Sequence, residues 1–172
     1  MYRYGGMIQS VPLFKDTSIQ FRNMLALSLE PIHVAANTWI FKEGDDAFDM
    51  YFIVKGKVEI IVPSKMGGES HVDDLEMGDY FGDVSLLREA QTRNVSARTK
   101  TNADLGRLSK RKLKQLLIKF PEIDENMKKI MAEKWRRSMQ ISQSLEANEK
   151  QEHATKKKSG SIFSLLKNHK VE

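Results

Sequence analysis

Hydrophobic and polar positions change period twice along this chain, and the changes divide it. Between residues 16 and 29, Phe21, Met24, Leu25 and Leu29 recur at the three- and four-residue spacing of one helical face. Asp16, Thr17 and Ser18 offer N-caps ahead of it. Earlier, Gly5-Gly6 is a poor helix interior, and Val11–Phe14 (VPLF) forms a hydrophobic corner because Pro12 disfavours helix in the residue before it. Residues 1–30 therefore read as an interrupted helical segment.

From 31 to 108 the pattern turns to short β-prone runs divided by turn residues. These are Pro31–Ala35, Thr38–Phe41, Met50–Val54, Lys57–Val62, His71–Leu75, Arg93–Lys100 and Ala103–Leu108. Glu43–Asp46 (EGDD) and Met77-Gly78 supply turns, and Lys55-Gly56 reads as the turn of a hairpin between the third and fourth runs. Frequent turns between short strands predict an antiparallel, jelly-roll-like β-roll. At 109 the helical period returns. Ser109 is placed to cap Lys110–Phe120, with Leu113, Leu116 and Leu117 as its buried face. Pro121 ends that helix and suits the first turn of the next. The second helix carries Ile123, Met127, Ile130, Met131, Trp135 and Met139 at helical spacing. Residues 109–150 are thus two helices, and the predicted class is α+β. Residues 151–172, rich in lysine and serine, read as a disordered tail. Within it Ile162, Phe163, Leu165 and Leu166 follow Lys156–Lys158 as a short amphipathic patch suited to weak contact with a membrane surface.

Composition narrows the classes. The 172 residues include no cysteine, which removes disulfides and thiolate metal sites and fits a reducing compartment. No apolar run approaches the length of about 20 residues that crosses a bilayer, and the N-terminus lacks the apolar stretch of a signal peptide. The net charge of +5 is concentrated after residue 109, as expected of solvated helix faces and a basic tail. His33, His71, His153 and His169 are scattered, with no nucleophile beside a base and no phosphate-cradling lysine loop. The sequence therefore reads as a binding module and not an enzyme, with no cofactor and no metal.

The informative segment is residues 80–97 (YFGDVSLLREAQTRNVSA). Gly82 permits close backbone approach to a ligand. Residues 83–87 can form one helical turn whose free N–H groups attract an anion. Arg93 can turn a planar, permanently charged fork back toward that turn. Asp83 beside it is ill-suited to phosphate but can accept a hydrogen bond from a sugar hydroxyl. A ligand with one phosphate fused to ribose satisfies both. On spacing alone, an ordinary strand–turn–strand with a surface arginine is the better fit.

This segment resembles the phosphate-binding cassette of the cyclic-nucleotide-binding domain family. The resemblance runs in order from about residue 10 to 145. It includes Val11–Phe14, the strand–turn Phe41–Asp45 (FKEGD), the central Asp49–Glu59 (DMYFIVKGKVE), and Leu105–Phe120 followed by Pro121. It implies N-terminal helices, a β-roll with a short cassette helix, then a B helix and a C-terminal lid helix. It also implies that Gly82, Asp83 and Ser85 meet ribose and phosphate, that Arg93 pairs with the cyclic phosphate, and that Asn94 follows it as a selectivity position. By the same resemblance Ile60 and Leu75 line the purine cavity, and Lys134 and Ser138 reach the base from the lid. Asp83 stands where glutamate is usual, and Asp73 where an apolar residue is common. The implied ligand is cAMP or cGMP, with cAMP slightly favoured. Within the family, Met50–Gly56 (MYFIVKG), the Leu-Ser-Lys start of the B helix and Phe120-Pro121 most resemble the C-terminal sensors of cyclic-nucleotide-gated cation channels. That setting implies the cytoplasmic side of a membrane, contact with the pore and linker of the parent channel, and a homotetramer, with no nucleic-acid partner. A cation exchanger, a kinase regulatory protein, or a degenerate roll used as a scaffold are the alternatives. Arg93→Ala is expected to remove phosphate affinity with little effect on folding.

Overall fold

In the computed structural model, the described residues are 4–14, 16–63, 69–87 and 92–130, with nine further positions between 132 and 147, namely 132–134, 136, 137, 140, 143, 144 and 147. The tail and Ser138 lie outside them. The N-terminal segment holds α1 (Gly5–Ser10), a 3-10 turn at Pro12–Phe14 and α2 (Ile19–Ser28). The Gly5-Gly6 pair therefore opens a helix and does not interrupt one: in the first turn no intrahelical N–H bond is lost. Ser18 caps α2, its hydroxyl accepting from the Phe21 N–H at 3.1 Å.

Among the described residues eight strands follow: β1 (Glu30–Val34), β2 (Trp39–Phe41), β3 (Asp49–Lys55), β4 (Val58–Pro63), β5 (Glu69–Leu75), β6 (Tyr80–Phe81), β7 (Ser96–Thr99) and β8 (Ala103–Ser109). They form two four-stranded antiparallel sheets, ordered β1-β8-β3-β6 and β2-β7-β4-β5. With α3 (Asp83–Leu87), α4 (Lys110–Lys119) and a C-terminal helix, described over residues 121–130 and again at 132–134, this is the expected α+β roll. Ser109 caps α4, accepting from the Lys112 N–H at 3.3 Å.

Two expectations are corrected. Met50–Val54 and Lys57–Val62 are not a hairpin, because β3 pairs with β6 and β8 while β4 pairs with β5 and β7. Gly56 turns the chain from one sheet to the other. Its φ is +92°, and a Cβ there would come within 2.8 Å of the Ala103 backbone. The strand expected from Arg93 begins only at Ser96, because the Arg93 backbone is engaged elsewhere, as described below.

β3 is buried on both faces. Met50 and Phe52 join the core under the helices, with Phe14, Phe21, Leu25, Leu108, Leu113, Leu116 and Met127. Its rings lie in series, Phe52 5.8 Å from Phe14, Phe14 5.4 Å from Phe21, and Phe21 5.3 Å from Phe120. Tyr51 and Ile53 point the other way, into the roll, with Phe41, Phe81, Val58, Ala97 and Leu105. The strand's two-residue period thus feeds two cores.

Candidate functional site

At one end of the inner core the chain leaves β6, passes Gly82 and enters α3. Gly82 has φ +77°, and a Cβ there would lie 2.9 Å from Nη1 of Arg93. Arg93 is only 4% exposed. Its Nη1 donates to the Gly82 carbonyl at 2.9 Å and its Nη2 to the Asp49 carbonyl at 2.6 Å. The guanidinium lies 4.2 Å from the centre of the Phe41 ring, a cation–π contact that also fixes its plane. Its backbone is clamped from a different direction: the Arg93 N–H donates to Asp45 at 2.7 Å, and the Gly44 N–H donates to the Arg93 carbonyl at 2.9 Å.

Desolvation by burial holds the Arg93 guanidinium below the usual arginine range, against the opposing pull of Tyr51, Asp49, Asp45 and Asp83. The group remains charged. Burial likewise raises the Asp49 carboxyl, offset by Arg107 and Arg93. Nε of Arg93 is buried and has no hydrogen-bond partner among the described residues. An unsatisfied buried donor costs roughly 1–3 kcal/mol, more when charged.

Arg93 lines a cavity of about 270 Å³, close to the lower end of small-molecule pockets, about 300 Å³. Gly82, Asp83, Asn94, Ile60, Leu75 and Lys134 line it too, so seven of the nine residues singled out in the sequence face one space. Ile60 and Leu75 come from adjacent strands β4 and β5 and make its apolar wall with Val72 and Val95. Asp73, opposite Ile60 in register, adds a carboxylate to that wall. Ser85 lies within α3, but its side chain is outside the described residues, as is Ser138.

Asp83 is 3% exposed. Its Oδ2 lies 3.3 Å from Nζ of Lys134, which reaches down from the C-terminal helix and sits 3.5 Å from the centre of the Tyr80 ring. The structure thus brings Lys134 to the cassette carboxylate. Phe41, Tyr80 and Arg137 were missed in the sequence. Arg137 was findable: it stands three residues beyond Lys134, on the same helical face. Phe41 and Tyr80 gave no signal beyond strand propensity.

The cyclic nucleotide-binding domain profile matches residues 31–120, more than half of the chain. The chain belongs to that family. Relatives of this cyclic nucleotide-binding domain include the cAMP-activated global transcriptional regulator CRP of Salmonella typhimurium, 32% identical over 84 residues, 49% of this chain and 40% of the relative. The cAMP-dependent protein kinase regulatory subunit of Emericella nidulans is 32% identical over 114 residues, 66% of this chain and 27% of the relative. The chain thus spans less than half the length of these relatives. Among solved structures, the Thermus thermophilus catabolite activator protein superposes with a TM-score of 0.69 at 23% identity, over 78% of this chain and 62% of that one. The cAMP-bound regulatory domain of Toxoplasma gondii PKA gives 0.67 at 18% identity, over 76% and 49%. At these identities the structural matches establish the fold.

Proposed function

We propose that this domain binds a 3′,5′-cyclic nucleotide in the Arg93 cavity, cAMP in preference to cGMP, and acts as a sensor and not as an enzyme. The observation that carries the reading is the buried Arg93 guanidinium, fixed by two carbonyls and a ring at the wall of a cavity, with its Nε unpartnered. An anionic oxygen within reach would supply the missing acceptor and a compensating charge. Phosphate then sits at the Gly82–Arg93 end, and the base lies against Ile60, Leu75 and Val95. Asp83 serves the ribose hydroxyl, which shares or displaces Lys134. The two described histidines are engaged by carboxylates at the surface, His33 with Asp104 at 2.6 Å and His71 with Asp74 at 2.9 Å, and neither lines the cavity.

Ligand occupancy reaches an effector through the C-terminal helix, which Lys134 already ties to the cassette. The ligand biases that helix only by its difference in affinity between two helix positions. Residues 50–56 and 108–110 favour a channel, in which the domain lies on the cytosolic side of a membrane beside pore and linker. The named relatives regulate transcription or a kinase. No helix among the described residues is long and apolar enough to cross a membrane.

Calorimetric titration with cAMP and cGMP tests the ligand. The expected result is saturable heat for the wild-type chain and a loss of about 30-fold or more for Arg93→Lys, which keeps the charge and loses the fork, the usual cost of breaking a buried charged pair being about 2–5 kcal/mol. No heat with either nucleotide would favour the scaffold reading.

A further inference from the structure

The outward surface of α4 carries charge of one sign. Arg111, Lys114 and Lys119 are exposed and Lys110 is half-buried. The helix contains no acidic residue, and none of these four cations enters an ion pair among the described residues. Lys112 differs, being tied to Glu30 at 2.8 Å and to the Ser28 carbonyl at 3.2 Å. Amid the cations stands Ile118, 80% exposed. It borders a cleft of about 350 Å³ that runs between three elements. Leu117 and Leu86 of α3 give it an apolar floor, and Lys114 and Lys128 give it a basic rim. Among the described residues its one acid, Asp124, is paired with Lys128 at 2.6 Å.

We infer that this cleft docks an acidic amphipathic polypeptide segment, its apolar side chains against Ile118 and Leu117 and its carboxylates on Lys110, Lys114 and Arg111. Charge complementarity selects the sign of the partner. The concave apolar floor selects a peptide, whose side chains enter a groove, over a lipid surface, which rewards projecting side chains on a flat face. The walls add a consequence. α3 and the C-terminal helix, which bound this cleft, also bound the nucleotide cavity through Asp83 and Lys134. Resting on the nucleotide reading above, the two sites are coupled, and each ligand alters the other's affinity by one common factor.

Fluorescence anisotropy with the nucleotide-free chain tests the cleft. The probe is a labelled synthetic peptide with leucines at i, i+3, i+4 and i+7 on a glutamate background. A scrambled peptide of the same composition and phosphatidylserine vesicles are the comparisons. The ordered peptide is expected to bind about tenfold more tightly than the scrambled one, with Lys114→Glu weakening it about tenfold and Ile118→Ser about fivefold. Both positions are exposed, so Tm should hold. Equal binding of the two peptides overturns the proposal, as does no binding of either, or Lys114-dependent binding to vesicles alone. The nucleotide-free format keeps this result separate from the cAMP titration. With nucleotide binding established, an unchanged peptide affinity on adding cAMP removes the coupling and leaves the docking site.

Discussion

Met50 and Phe52 face one way from β3, Tyr51 and Ile53 the other, and the two sides are packed on different terms. On the helix side, Phe14, Phe21, Leu25, Leu108 and Met127 are each at most 1% exposed and pack on one another. On the roll side the same kinds of side chain surround a buried arginine, and a carboxylate lies nearby at 3% exposure. Apolar burial holds the helices to the sheet at about 25 cal/mol per Å² of area removed from water. The roll side gives up part of that packing to hold two charges and a cavity. Stability and recognition thus share one strand and separate by face, meeting at Tyr80, which packs with the helix-side core and also lines the cavity.

Mutation can break that separation or sharpen it, and the largest effect belongs to the packed side. Phe21→Ala, which empties a fully buried site between Phe14 and Phe120, should lower unfolding free energy by about 3–5 kcal/mol, measured by urea denaturation. The protein that remains folded should bind cAMP with unchanged affinity. A parallel loss of affinity would show that the two faces are not separate.

Gly82→Ala comes next. Its backbone lies in the left-handed region, which costs an alanine about 1–2 kcal/mol, and the new Cβ meets Arg93 Nη1 at 2.9 Å. Here the loss in binding should exceed the loss in stability, and calorimetry beside denaturation reads the ratio. Arg93 itself is a mixed case. Its bonds to Gly82 and Asp49 and its seat on Phe41 make it part of the core, so its removal will also cost stability, contrary to the expectation from sequence.

The smallest effect lies away from both cores. Glu30 accepts from Lys112 and Arg107, and these bonds hold its pKa down from 4.5 to about 2. A depressed carboxylate contributes stability that is complete above pH 4.5 and is lost as pH falls toward 2. Urea midpoints measured through that window should fall more steeply for wild type than for Glu30→Gln, with nucleotide affinity at neutral pH the same for both.

Helix faces were legible because period fixes them: Phe21 and Leu25 on α2, and Leu113, Leu116 and Leu117 on α4, are buried as their spacing demands. The cassette was legible because Gly82 and Arg93 are residue types with few substitutes. Strand pairing was not. Alternation in Met50–Val54 and Val58–Val62 tells which side chains share a face, not which strand lies alongside, and a Lys-Gly turn serves a sheet crossing as well as a hairpin. The partner of Lys134 was also hidden, since its distance from Asp83 depends on how the C-terminal helix lies across Tyr80.

The clamp of Gly44 and Asp45 on the Arg93 backbone sets the arginine's bearing from the β2–β3 turn. A change of shape in that turn would therefore swing the guanidinium without altering Gly82 or α3, which makes the β2–β3 connection a remote lever on the grip.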